Sequence, residues 1–452
     1  MSSKTSSSFP FPRLRMPGGH ATRARRLLAA SLTASLTALA LSACGDKPAG
    51  DGPYADLVAK YVPRIEQEMR LPFKTPPKLE MRSRDEVAKF VRHQLESERG
   101  QQQIAGQEGV YRILGLIPDT LQLAPLLQRL LEEQIVGYYD PATKVLYVVE
   151  GAPTALIDQT VAHELVHALQ DQYVKIDSIQ AQADDADRQV AAQAVLEGQA
   201  VFMQLRVDPN ASPMLKMPGG WDRIRDLIRD GSVGMPVFAS APRTVREGLL
   251  FPYLGGADFV RRFINQRPEK ELLTDLPVST KQILSDAAYF TATPAERDVP
   301  VTVTLPAPRA GTVVFTNTFG EFETRLALSQ HIRNDDLARR AAGGWDGDRF
   351  ALVRTADGDA LVWASVWDSA VDAADFLDVM GDAARRRYEL GKPTIAPGAT
   401  TRRIDAPATP RRAARTVTLQ LEQVNGKPVV LFMDYPARSA APIDPVRITV
   451  QR

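Results

Sequence analysis

The segment His163-Glu164-Leu165-Val166-His167 constrains this chain more than any other five residues. Residues four apart share one face of an α-helix, so histidines at this spacing turn both rings towards one point, with the glutamate about 100° round the axis. Thr160, Val161, Ala162, Leu165, Val166, Ala168 and Leu169 are all uncharged, and Ile157, Val161, Leu165 and Leu169 recur every fourth residue. This pattern predicts a helix whose apolar stripe faces a core. Before it, Gly137-Tyr138-Tyr139, Asp140 to Lys144 and Val145 to Val149 read as strand, turn and strand, and Gly151 and Pro153 close the hairpin.

Two imidazoles on one helical face can grip a single metal ion, with Glu164 facing a water bound to it. A catalytic zinc keeps one position for water and takes three protein ligands, so a third must lie downstream. The acidic candidates are Asp171, Asp177, Asp184, Asp185, Asp187 and Glu197. The aspartates from 184 to 187 read as a solvated helix start. Glu197 differs, being the one charged residue between Val190 and Leu205, with Val195, Leu196, Val201 and Phe202 around it. A carboxylate there is costly to bury unless it meets a cation or a metal. The competing reading is a glutamate at the edge of an apolar face that reaches water or an arginine. Gly198 with Ala191, Ala192, Ala194 and Ala200 predicts a close approach between this helix and the one bearing His163.

His163-Glu164-Leu165-Val166-His167 followed by Glu197-Gly198-Gln199-Ala200 resembles gluzincin-type zinc metallopeptidases, whose ligands are HExxH and a glutamate on the next helix. The segments Phe251 to Val260, Pro277 to Leu284 and Gly344 to Arg349 are similar to a little-characterised bacterial branch of secreted peptidases, so the resemblance spans Gly137 to Phe376. It implies an α+β, zincin-like domain of hairpin, HExxH helix and Glu helix, with Zn2+ held by His163, His167 and Glu197. Glu164 would be the general base that takes a proton from the water and passes it to the leaving amine, without a covalent intermediate. Tyr253, in a context that reads as a turn, would supply a donor to the oxyanion, the alternative being an ordinary half-buried tyrosine. The chain departs from thermolysin-like members in a longer gap and in Val201, which stands where they carry an aspartate one turn after the ligand Glu. The partner that orients each imidazole is therefore open, with Asp171 as a candidate. The hairpin is either a plain structural one, as most are, or an edge strand to which an extended peptide adds.

The N-terminus bears on where such a protein works. Residues 1–43 carry Lys4, Arg13, Arg15, Arg23, Arg25 and Arg26, no acidic residue, and an apolar-rich stretch of 15 residues from Leu27 to Leu41. That is the layout of a signal peptide, and the stretch is short of the roughly 20 residues of a membrane span. It ends in Leu41-Ser42-Ala43-Cys44, which resembles the bacterial lipobox, so lipidation of Cys44, the only cysteine, is expected. Met16 is the expected start, leaving a signal of 28 residues. Gly45 to Pro53 reads as a flexible tether from an outer-membrane lipid anchor to a folded body beginning near Tyr54. A total of 55 basic and 54 acidic residues, of which six basic ones leave with the signal, gives a mature charge of −5 and no case for a nucleic-acid partner.

The predicted organisation is a signal over 1–43, a tether over 44–53, a zincin-like domain over 54–300 and an α+β accessory domain over 301–452. In the first domain Ser83 to Glu86 reads as a capping box opening a helix to Glu98, and Leu121 to Gln134 as another helix. In the second, strands are expected at 301–304, 312–316, 350–354, 360–366, 417–421 and 429–433, and helices at 321–331 and 371–389. Pro393 to Arg415 reads as a surface loop. Trp345-Asp346-Gly347-Asp348 reads as a turn before a strand rather than a calcium loop. Trp363 and Trp367 are expected in the core, and His93 and His331 at a surface or interface. Peptide or protein is the expected substrate at the bacterial cell envelope. The alternatives are a hydrolase of non-peptide amides, which shares every ligand, and a non-enzymatic envelope lipoprotein, a binding or assembly module on a degenerate form of the same fold. Intact Glu164 favours catalysis, since a structural metal site has no use for a base.

Overall fold

Residues 53–176, 184–391 and 398–451 are described in a computed structural model of the chain. Cys44, the signal, nearly all of the tether and Asp177 lie outside these residues. Among the described residues no helix is long and apolar enough to cross a membrane.

The body opens at α1 (Ala55–Met69), whose buried face of Val58, Tyr61, Ile65 and Met69 lies on the histidine helix. Strand β1 (Lys78–Arg82) leads to α2 (Arg84–Leu95), α3 (Glu98–Leu114) and α4 (Leu123–Gln134). The expected capping box is present at α2: the Ser83 N–H donates to Glu86 Oε2 at 2.8 Å and the Glu86 N–H to Ser83 Oγ at 3.3 Å. The hairpin follows as β2 (Gly137–Asp140) and β3 (Val145–Val149). Its turn is tied by Asp140, which accepts from the Ala142 N–H and the Thr143 hydroxyl. In the resulting sheet, order β1-β3-β2, all of β3 is buried between a parallel and an antiparallel neighbour, and β2 is an edge. Helices α5 (Thr154–Tyr173), α6 (Ala186–Val207), α7 (Gly220–Val233) and α8 (Arg243–Gln266) follow. With α1 and the sheet, α5, α6 and α8 enclose one core built on Val161, Leu165, Leu169, Val195, Phe259 and Phe263.

A short helix, α9 (Thr280–Leu284), leads into the second half. There β4 (Thr302–Thr304) and β11 (Thr449–Gln451) form a two-stranded ribbon. A six-stranded antiparallel sheet takes the order β5-β6-β7-β10-β9-β8, with β5 (Thr312–Asn317), β6 (Trp345–Thr355), β7 (Gly358–Trp367), β8 (Thr401–Ala406), β9 (Arg415–Val424) and β10 (Lys427–Pro436). Helices α10 (Gly320–Ile332), α11 (Asp335–Ala342) and α12 (Ala370–Arg387) contribute to a core on one face. Val303, Ile443, Ile448 and Val450 pack on the other. The chain is thus α+β.

Three expectations change. Residues 401–406 are an edge strand inside the stretch that reads as a loop; its two arginines are tolerable because only one side of β8 pairs. Trp345 to Arg349 is the start of β6 with a bulge between Trp345 and Gly347, not a turn before a strand. The change of texture at residue 300 is also not a gap between cores. Val110, Leu114 and Leu127 of α3 and α4 belong to the same buried cluster as Phe350, Trp363 and Phe432 of the large sheet. His331 sits at that junction, its Nε2 2.7 Å from the Leu114 carbonyl and its pKa lowered by burial, while His93 is exposed. Trp363 and Trp367 are buried as expected.

Candidate metal centre

The middle of α5 is buried on almost every side, with Val161, Leu165, Val166 and Leu169 at 0% exposure. Two turns of it carry His163 and His167 into the gap between α5 and α6, where Glu197 enters from α6. His163 Nε2 and His167 Nε2 are 3.2 Å apart, and Glu197 Oε2 lies 3.3 Å from the first and 3.2 Å from the second. A tetrahedral ion with bonds of about 2.0–2.1 Å separates its ligand atoms by roughly 3.3–3.4 Å. The three donors therefore form nearly one face of such a tetrahedron, and among the described residues they are one of two groups able to hold a metal ion. Burial would lower the pKa of His163, but the hydrogen bond to Glu197 and the charges of Glu164 and Glu197 outweigh it and hold the pKa raised. The site's own field thus favours positive charge at this point.

Glu164 is buried beside the cluster, and its Oε2 accepts from the Tyr139 N–H at 2.8 Å. The general-base candidate is therefore held by the backbone of the edge strand β2. Tyr253 is half-buried with its ring 6.2 Å from that of His163, inclined at 28°. Its surroundings are not a turn: Phe251 to Gly256 lie within α8, with Pro252 inside the helix.

The glycines that suggest a turn have another cause. A Cβ on Gly198 would stand 2.1 Å from the Gly256 carbonyl carbon, and one on Gly256 would stand 1.9 Å from the Ala194 carbonyl oxygen. Gly198 therefore faces α8 rather than the His163 helix, and the two glycines let α6 and α8 cross backbone to backbone. This crossing places Glu197 from one helix and Tyr253 from the other on the same side of α5.

The start of α6 is pinned by the second half of the chain. Asp187 is buried and accepts from the Thr280 N–H at 3.0 Å and from the Thr280 hydroxyl. Asp185 accepts from the Thr318 hydroxyl and the Arg188 N–H, Asn317 Oδ1 from the Ala186 N–H, and the Asp184 carbonyl from Arg349. Asp187 is thus no solvated helix-start residue, because packing of α9 and α10 over the helix end removes it from water. The segments Pro277 to Leu284 and Gly344 to Arg349 act here as this joint. Lys281 pairs with Asp298 and with Asp368, and Lys427 pairs with Asp346. Asp298, Asp346 and Asp368 are the second group able to hold a metal, but two lysines already supply its cations.

The orienting partners of the imidazoles escaped the sequence. His167 Nδ1 is 2.8 Å from Gln170 Oε1, and His163 Nδ1 is 3.3 Å from Gln204 Oε1. Asp171 is not such a partner: its carboxylate accepts from the Tyr139 hydroxyl at 2.9 Å and pairs with Lys144. A signal was present in principle, since Gln170 and Gln204 each lie one or two turns from a ligand on an apolar helix, but amides seldom stand out among uncharged residues.

Residues 309–433 match a family model described as "Domain of unknown function (DUF8575)". The matched stretch covers most of the six-stranded sheet with α10 to α12, and none of the residues of the metal centre. No curated protein and no solved structure matches the chain.

Proposed function

We propose that this chain is a zinc metallopeptidase with a zincin-like catalytic region, lipid-anchored through Cys44 at the bacterial cell envelope, on the periplasmic or outer side. The observation that carries the proposal is the meeting of His163, His167 and Glu197 within 3.3 Å of one another, with Glu164 beside them. Two imidazoles and a carboxylate are the donor set of a catalytic rather than a structural zinc site, because a position remains for water. Zinc bound there supplies Lewis acidity, which makes water acidic near neutral pH and polarises an amide carbonyl. Glu164 takes the proton at its carboxylate and delivers it to the departing amine nitrogen. The Tyr139 N–H keeps that carboxylate aimed at the cluster through both transfers. Tyr253 is the proposed donor to the developing oxyanion. The peptide reading, as against other amides, is supported by β2, an edge strand beside Glu164 to which an extended chain can add through groups other than the Tyr139 N–H, which Glu164 already occupies.

The test combines metal analysis with digestion of a peptide library. The purified protein should contain zinc close to 1:1, lose it in His163→Ala, His167→Ala and Glu197→Ala, and keep it without hydrolysis in Glu164→Gln. A wild type without zinc, or Glu164→Gln that still cuts, would refute the reading. Cleavage of small amides but of no peptide would reassign the substrate class. Membrane fractionation of Cys44→Ala tests the anchor, with release into the soluble fraction expected.

A further inference from the structure

We infer that Gln170 and Gln204 are positioning residues that fix both imidazoles in the tautomer needed by a metal, so that neutral amides do here what a carboxylate or backbone carbonyl commonly does. The inference rests on the metal-binding reading above and concerns the chain's own residues.

Gln170 is fully buried between α5 and α6. Its Nε2 donates to the Leu196 carbonyl and to Gln199 Oε1, each at 3.0 Å. An amide nitrogen carries two hydrogens, and both are used in those bonds. The oxygen left facing His167 Nδ1 at 2.8 Å can only accept, so Nδ1 carries the hydrogen. A neutral imidazole has a single N–H, and the lone pair of His167 must then be on Nε2. That is the atom 3.2 Å from both His163 Nε2 and Glu197 Oε2. Gln204 Oε1 repeats the arrangement at His163 Nδ1. In the neutral rings neither Nε2 brings a hydrogen to the point at which the three groups converge, and three acceptors at that range repel unless a metal ion or a proton stands between them.

Two consequences follow. Leu196 adjoins Glu197, so the amide that fixes His167 also ties it to the helical turn carrying the third ligand, and two ligands are set as a unit. The charge of the site is the other. Two imidazoles and one carboxylate give −1, a divalent ion brings the set to +1, and the amides add nothing. A carboxylate at either amide position would make its imidazole more basic and bind the ion more tightly. The amides therefore leave more positive charge on the ion, at some loss of affinity.

The test uses the whole protein and needs no turnover. Zinc affinity is measured by competition with a chromophoric chelator, and ring tautomers by 15N NMR of histidine-labelled, metal-free protein. The wild type should show His163 and His167 as Nδ1–H tautomers. Gln170→Met should lose that signature at His167 and bind zinc about 10–100-fold more weakly, the usual range for loss of such a partner. Gln170→Glu should bind at least as tightly as the wild type. If Gln170→Met does not fold, Gln199→Met, which touches no ligand but frees Gln170 to rotate, should still weaken binding several-fold. Nε2–H tautomers in the wild type, or affinities within about twofold of wild type in both Gln170→Met and Gln204→Met, would overturn the inference. A wild type that binds no zinc would instead remove the metal reading beneath it.

Discussion

Two buried acidic sites in this molecule are treated in different ways. In the six-stranded sheet, Asp348 lies 3% exposed and accepts from the Phe319 and Gly320 N–H groups and from the indole N–H of Trp345 and of Trp363. Asp434 accepts from the Tyr388 hydroxyl and pairs with Arg415. Donors surround these carboxylates, which is how a fold makes a buried acid part of its scaffold. Between α5 and α6 Glu197 is also buried, at 6% exposure, but its Oε2 faces the Nε2 atoms of His163 and His167, ring nitrogens that donate only when they carry a proton there. The first arrangement is satisfied by the fold's own donors, and the second, on the proposed reading, is satisfied by a metal ion.

The largest effect expected from this contrast is at Asp348. Asp348→Ala strands four buried N–H groups and should cost on the order of 5 kcal/mol, or prevent folding, in urea unfolding. Glu197→Ala in metal-free protein should cost far less, because it strands no comparable set of buried N–H groups. Equal losses would erase the distinction. Next comes the helix crossing. Gly198→Ala forces α6 away from Gly256 and should lower stability by about 2–3 kcal/mol and zinc affinity with it, measured by thermal unfolding and metal titration on the same samples. A loss of stability with unchanged affinity would show that Glu197 does not depend on the crossing.

A smaller, pH-dependent effect is expected at Glu321, whose pKa burial raises to about 7, against a smaller lowering by Lys281 and Arg325. An acid with a raised pKa in the fold contributes stability below its unfolded pKa and loses it as pH climbs through the folded value. Glu321→Gln should therefore raise the melting temperature at pH 8, by an amount equivalent to roughly 1–3 kcal/mol, and leave it nearly unchanged at pH 4.5. The same gain at both pH values would contradict this. The smallest effect belongs to Asp171→Asn. Because that carboxylate serves Tyr139 and Lys144, zinc affinity should stay within about twofold, in contrast to Gln170→Met. A tenfold loss would make Asp171 part of the centre after all.

What was legible in the sequence follows from how local each signal is. His163 and His167 could be read because their relation is fixed by one helical repeat, and Glu197 because a lone charge among apolar neighbours is visible without a partner. The hairpin and the Ser83 capping box are equally local, as are the β-branched strands of the large sheet. Gln170 and Gln204 could not be assigned, because an amide acquires its role only from the atom opposite it in space. Asp187 looked solvated and Asp348 looked like part of a turn for the same reason: a partner distant in the chain, such as Thr280 for Asp187 or the Phe319 and Gly320 N–H groups for Asp348, is invisible in the local sequence. Phe251 to Gly256 misled because Gly-Gly usually signals a turn, whereas here it is the clearance required by a second helix.

The joint at the head of α6 also bears on the order in which the molecule can be completed. Its anchors, Thr280, Asn317, Thr318 and Arg349, lie between 93 and 165 residues further along the chain than the atoms they hold. A polypeptide emerging N-terminus first, from a ribosome or through a translocation channel, presents both histidines long before it can secure the helix that bears the third ligand. The centre is finished only when most of the protein has arrived, and a chain truncated before Arg349 lacks part of the clamp.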